Sequence, residues 1–256
     1  MLGAERNSNI EMNNIHQNGN TFCQELCIPC YQTNRQGLLK PVAFMDMAQE
    51  IAYWAAEALG FGYDSLHVHH TAWVLARMHV RFLRPVHWRD DVTLRTWHKG
   101  ANGLFYLRDF QLLDTEGDVA VAATTSWVVM DERTRRLVRP EDLHNLLQVE
   151  QANHAIAELA PKITLPKEME PAGEHTVTAS EIDINLHTNN ARYMAWVIDS
   201  LPPDDAVCPV KEFCVNFNKE TTEGDCVQLQ RFHDGDDWFV EGRLDGKSCF
   251  TIQLRY

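Results

Sequence analysis

One order of elements occurs twice in this chain, and that repetition limits the folds open to it. In the first half a polar loop, residues 32–37, leads into a long helical segment at 41–59. Ala43, Met47, Ile51, Trp54, Ala55 and Ala58 recur at helical spacing there, and Gly60 stops the run. Strand-like segments follow at 71–82, 91–99, 105–113 and 119–131, with Glu116-Gly117-Asp118 as a turn between the last two. In the second half a strand at 174–180 leads through a polar loop into a helix at 190–201, which Pro202-Pro203 ends. Strands are then expected at 210–218, 225–233, 238–244 and 247–255, with Asp234-Gly235-Asp236 and Asp245-Gly246 as hairpin turns. Successive strands joined by tight turns must run antiparallel, so the fold class is α+β.

A long helix wrapped by an antiparallel sheet is the hotdog plan, and the repeat predicts two in tandem. The 256 residues allow one large domain or two small ones, and 45% are apolar, enough for a sizeable core. We expect a disordered leader over 1–20, an N-terminal hotdog over 21–150 and a C-terminal hotdog over 174–256. A helix at 142–159 and a linker with Pro161, Pro166 and Pro171 would join them, so that 151–173 holds the helix end and the linker. The strand opening the ordered part is placed at 21–31. A ligand would sit between the halves, in a chain acting as a pseudo-dimeric monomer or as a homodimer.

Composition narrows the function. The formal net charge of −13 argues against a general nucleic-acid binder. The apolar runs are too short to span a membrane. The Asn-rich opening lacks the apolar core of a signal peptide, which predicts a cytoplasmic protein. Its seven cysteines are then expected to be reduced. Cys23, Cys27 and Cys30 have the spacing of an iron–sulfur motif, but no glycine-rich segment or strand–helix repeat accompanies them, and they read as small hydrophobes on a strand. His67, His69 and His70 lack a carboxylate or thiol at ligand spacing. No metal or cofactor is expected.

The chemistry concentrates in Asp183-Ile184-Asn185-Leu186-His187-Thr188-Asn189-Asn190. In an extended chain Asp183, Asn185 and His187 share one face, above an apolar floor of Ile182, Ile184 and Leu186. Residues two apart on a strand lie about 7 Å apart along it, so Asp183 and His187 do not touch if the segment is straight. Either the loop curls or the three act on different atoms of one ligand. Asn189 or Asn190 would cap the helix that follows, whose N–H groups would polarise a carbonyl oxygen.

This segment resembles the active-site signature of the acyl-acyl carrier protein (acyl-ACP) thioesterases, double-hotdog enzymes that release fatty acids in plants and some bacteria. The similar positions run Asp183-x-Asn185-x-His187-x-Asn189-Asn190-x-x-Tyr193-x-x-Trp196. Further similar blocks are Trp73-Val74-Leu75-Ala76-Arg77, Thr96-Trp97, Arg108-Asp109-Phe110 and Trp127-Val128-Val129-Met130-Asp131, so the resemblance covers nearly the whole chain after the leader. It implies a fourth catalytic residue, a glutamate after the helix, which falls on Glu220 in Phe217-Asn218-Lys219-Glu220-Thr221. Many plant members carry a cysteine beside that glutamate; Thr221 stands here instead, which weakens a thiol-nucleophile mechanism. The leader is neither basic nor amphipathic enough for a transit peptide, which fits a bacterial member.

The resemblance thus implies hydrolysis of fatty acyl-ACP by Asp183, Asn185, His187 and Glu220, with the phosphopantetheine-linked acyl chain of the carrier protein as partner. Met45, Met47, Ile51, Trp54, Leu59, Trp73 and Leu75 are candidates for an acyl tunnel and read equally well as core. The carrier protein is acidic in this family, so docking would need a local basic patch. Arg133, Arg135, Arg136 and Arg139 form one candidate, and Arg77, Arg81, Arg84 and Arg89 another. Rival readings are an acyl-coenzyme A thioesterase, a hotdog dehydratase, or a non-catalytic acyl-binding or sensor protein on the same fold.

Overall fold

A computed structural model describes residues 15–139 and 153–256. Strands β1 (Ile15–Asn18) and β2 (Thr21–Cys27) form a hairpin at the sheet edge, pairing Asn18 with Thr21. The disordered leader expected over 1–20 is therefore too long: residues 15–18 are strand, and residues 1–14 lie outside the described residues. The opening strand in turn ends at Cys27, short of the expected residue 31, and Cys30 begins a short 3-10 turn. Cys27 and Cys30 are exposed, which departs from the buried role expected of them.

Helix α1 (Pro41–Ala58) starts with Pro41 in its first turn, where the missing N–H costs nothing. Ala43, Phe44, Met47, Ala48, Ile51, Ala52 and Ala55 form its buried face. Its end is a Schellman motif, with Gly60 at φ +80°. The Phe61 N–H bonds the Ala56 carbonyl at 3.1 Å and the Gly60 N–H bonds that of Glu57 at 3.0 Å, while Phe61 packs against Ala56. Helix α2 (Tyr63–Val68) then turns the chain into β3 (Thr71–Phe82).

Strands β4 (Asp91–Asn102), β5 (Phe105–Leu113) and β6 (Val119–Asp131) follow, and β7 (Leu137–Val138) pairs with the end of β6. The second half holds β8 (Glu170–Thr176), α3 (Asn190–Ser200), β9 (Glu212–Phe217), β10 (Cys226–Asp234), β11 (Asp237–Leu244) and β12 (Lys247–Arg255). Among the described residues the strand pairings are all antiparallel, in the order β1-β2-β4-β5-β6-β3-β9-β12-β11-β10-β8. The β11–β12 hairpin turns through Asp245 and Gly246 at φ +52° and +75°, the left-handed pair that a two-residue turn requires.

The two hotdogs share one sheet. β3 pairs with β6 on one side and β9 on the other, in register Met78↔Val215 and Val80↔Phe213. One apolar cluster takes Phe44 and Ile51 from α1 together with Met194, Val197, Phe250 and Ile252 from the second half. Arg192 of α3 bonds Asp46 of α1 at 2.7 Å.

The helix expected at 142–159 is not found in its described part. Residues 142–152 lie outside the described residues, and 153–159 form a bend and irregular chain. This segment is held to the first-half sheet by polar bonds. The Asn153 carbonyl accepts from the Trp97 indole at 2.9 Å, and the Ala155 N–H donates to Asp109 at 2.7 Å. Lys99 lies 3.3 Å from the buried Asp109 carboxylate and also donates to the Ile156 carbonyl. Asn216 of β9 then grips the Pro161 carbonyl and the Ile163 N–H, each at 2.8 Å. A strap bonded to the sheet in this way has no need of internal helical bonds. The expected linker is also shorter than its proline content suggests, because β8 begins at Glu170.

Candidate active site

The polar segment before α3 is a tight turn, and its side chains do not alternate as on a strand. The Asp183 N–H bonds the His187 carbonyl at 2.9 Å, and the Leu186 N–H bonds the Asp183 carbonyl at 3.0 Å. Leu186 is left-handed at φ +63°, and Ile182 bridges to Thr188 across the base of the turn. The Asp183 carboxylate accepts the Asn185 N–H at 2.9 Å, an Asx turn that reverses the chain. Of the two alternatives that spacing leaves open, the loop curls. The reversal overturns the expected apolar floor: Ile184 and Leu186 are 69% and 76% exposed.

Two anchors fix this turn. Asn189 caps α3, its side chain accepting from the Ala191 N–H at 2.9 Å. That bond engages one of the helix-start donors expected to face a thioester oxygen. The second anchor is Thr221, which is fully buried. Its carbonyl accepts the Thr188 N–H at 2.9 Å, and its hydroxyl lies 2.7 Å from the Thr188 hydroxyl and 3.0 Å from the Tyr193 hydroxyl. Glu220 precedes Thr221, and His187 precedes Thr188. This anchor therefore brings the two together: His187 Nε2 stands 3.3 Å from Glu220 Oε1. Both side chains remain about one third exposed, open to water.

Glu181, just before the turn, secures its approach. Burial alone would raise its pKa. Bonds from His175 at 2.9 Å, the Thr178 N–H at 2.8 Å and the Trp196 indole at 2.6 Å outweigh that and bring it to about 2.

The site thus joins His187 to Glu220, ties Asp183 to the backbone of Asn185 and leaves Asn185 exposed. Thr188 and Tyr193 enter as supports for which spacing gave no signal. So does Arg135, from the β6–β7 turn, whose guanidinium contacts Glu220 Oε1 and whose own pKa is raised by that bond. The second arginine group is already engaged in part: Arg84 lies 2.7 Å from Asp118, and Arg81 3.0 Å from Glu212.

Beside the start of α3 a narrow pocket opens between α1 and the first-half sheet. Met45, Gln49, Leu75, Phe110, Trp127 and Asn190 are among its walls. Of the tunnel candidates, Met45 and Leu75 line it; Met45 also belongs with Met47 and Ile51 to the shared core, Trp54 bonds Glu50, and Leu59 and Trp73 join a separate cluster with Phe61 and Tyr106.

Comparison with known proteins gives a consistent picture. Residues 19–146 match the family described as "Acyl-ACP thioesterase N-terminal domain", and residues 166–244 match "Acyl-ACP thioesterase C-terminal domain". Oleoyl-acyl carrier protein thioesterase 1 of Arabidopsis thaliana is 27% identical over 240 residues, covering 85% of this chain and 65% of the relative. The chain spans about half to two thirds of the length of the curated relatives it matches, between 49% and 66%. Among solved structures, the 12:0-ACP thioesterase from Umbellularia californica superposes with a TM-score of 0.82 at 23% identity, covering 94% of this chain and 98% of that one. An acyl-ACP thioesterase from Bacteroides thetaiotaomicron gives 0.77 at 20% identity, covering 92% and 97%. At such identities these structures speak for the fold.

Proposed function

The chain belongs to the acyl-ACP thioesterase family, and on that footing we propose that it hydrolyses fatty acyl-acyl carrier protein to the free fatty acid and the carrier protein thiol, in fatty acid biosynthesis. The observation that carries this reading is the pairing of His187 with Glu220 at 3.3 Å, with His187 three residues before Asn190, which lines a narrow, largely apolar pocket. Hydrolysis of a thioester needs a held water, a polarised carbonyl and a proton for the departing sulfur. Glu220 takes the proton of the attacking water and passes it across to His187, or orients the water while His187 takes that proton directly. The water oxygen joins the acyl carbon, the C–S bond breaks, and His187 delivers a proton to the thiolate. The Asn185 amide and an N–H at the start of α3 receive the charge that develops on the carbonyl oxygen. Asp183 braces the turn through the Asn185 N–H. The acyl chain enters between α1 and the first-half sheet, where side chains must part to admit it, because the pocket as it stands measures about 10 Å³, room for about one water.

The test is hydrolysis of carrier-protein and coenzyme A thioesters of graded chain length by the wild type and Glu220→Gln. The wild type should prefer the carrier-protein thioesters. The Gln variant should lose roughly a hundredfold or more in kcat, the usual range for a positioned acid or base. Full hydrolysis by Glu220→Gln would refute the assignment, and a preference for coenzyme A thioesters would change the substrate.

A further inference from the structure

We infer that Arg135 is a positioning residue for Glu220, reaching across from the first half of the chain to hold the carboxylate in line with His187. The inference rests on the hydrolytic reading of the site. Arg135 Nη2 donates to Glu220 Oε1, the same oxygen that lies 3.3 Å from His187 Nε2. The backbone beside Glu220 is fixed by the Thr221 bonds, but the glutamate side chain still has rotamers to choose among. Among the described residues, the guanidinium and the imidazole are the two groups that restrict it.

The turn that carries Arg135 is built to present it. The Asp131 carboxylate accepts from the Arg133 N–H at 3.0 Å, the Thr134 N–H at 2.7 Å and the Thr134 hydroxyl at 2.8 Å. The Asp131 and Arg135 main chains close the loop through Asp131 N–H to the Arg136 carbonyl at 2.9 Å and Arg135 N–H to the Asp131 carbonyl at 2.8 Å. Arg135 itself sits at φ +58°, a conformation that side chains with a Cβ adopt only where surrounding bonds impose it. From the other side, the Glu132 N–H bonds the His70 carbonyl at 2.9 Å and the Arg133 guanidinium contacts the His70 ring.

Stability does not account for this construction. The side chains of Arg135 and Glu220 are 50% and 35% exposed, and a pair so placed adds little to folding. What a planar guanidinium supplies is direction. Its contact with Glu220 also makes Arg135 part of the hydrolytic centre, which sets it apart from the docking role expected of the arginine-rich turn.

The test compares wild type, Arg135→Gln and Arg135→Lys on an acyl-ACP and on the matching acyl-pantetheine thioester. In Arg135→Gln, kcat should fall roughly ten- to a hundredfold on both substrates with KM little changed, the cost of a misplaced reacting group. Arg135→Lys, which keeps the charge and loses the fork, should recover part of that loss. An unchanged kcat in Arg135→Gln, or a raised KM confined to acyl-ACP, would overturn the inference in favour of a surface or docking role. A wild type inactive on every thioester would refute the hydrolytic reading by itself. The Arg135 Nε–Hε resonance then decides separately: it should move in Glu220→Gln, and an unmoved resonance would sink the pairing.

Discussion

His187 and Glu220 lie 33 residues apart in the chain, and their facing atoms stand 3.3 Å apart because the residues that follow them, Thr188 and Thr221, are bonded to each other. The His187–Glu220 pair is partly exposed and the fastening beneath it is buried. This division lets the site meet water while its geometry is set by the core.

Thr221 should therefore behave as a support. Thr221→Ser keeps the hydroxyl and should retain wild-type stability and most activity. Thr221→Val leaves the buried Thr188 and Tyr193 hydroxyls short of a partner and should cost about 1–3 kcal/mol in urea denaturation, with partial activity remaining. A valine variant of full stability and no activity would make Thr221 a reactive group after all.

Asp183 supplies an acceptor to the Asn185 N–H, and an amide oxygen can do the same. Asp183→Asn should keep most of the hydrolytic rate, whereas Asp183→Ala should open the turn and lose up to about tenfold more, the worth of one net hydrogen bond. Equal losses in the two variants, read in steady-state kcat, would assign the carboxylate charge itself a role.

Gln49 is half-buried at the pocket wall and outside the shared core. Gln49→Phe should narrow the pocket with little change in melting temperature and shift the preferred acyl chain towards fewer carbons. The measurement is kcat/KM along a chain-length series. An unaltered series would place the acyl chain elsewhere.

Glu181 predicts how the approach to the site responds to acid. Its folded pKa of about 2 lies below the ordinary carboxylate value of 4.5, so the folded state binds fewer protons than the unfolded state between these values. The stabilisation is complete above pH 4.5 and is lost as pH falls towards 2. The gap in melting temperature between wild type and Glu181→Gln should be widest near neutrality and close across that window. A gap constant with pH would mean that the ionised form contributes nothing.

Much of this architecture is legible in the sequence. Pro41 and Gly60 bound α1, and the glycine turns bound the hairpins of the second half, because start and stop signals are local. Strands at 71–82, 105–113, 119–131 and 247–255 have the expected limits. The curl at Asp183 was open in the sequence, since it depends on Leu186 taking a left-handed conformation that leucine seldom adopts. The strap after residue 152 departs from the expected helix because its bonds go to Trp97, Asp109 and Asn216, far away in the chain. Arg135 was visible as charge alone, and only the fold reveals which carboxylate it meets.

The pairing of β3 with β9 means that neither half of this chain has a finished edge there. Severed within the strap, the N-terminal fragment would present β3, and the C-terminal fragment β9, as a row of unsatisfied main-chain donors and acceptors. Each fragment made alone would recruit other copies of itself or fall out of solution, and the two made together would mend the sheet by strand exchange. A sheet closed in this way does not divide into its two halves.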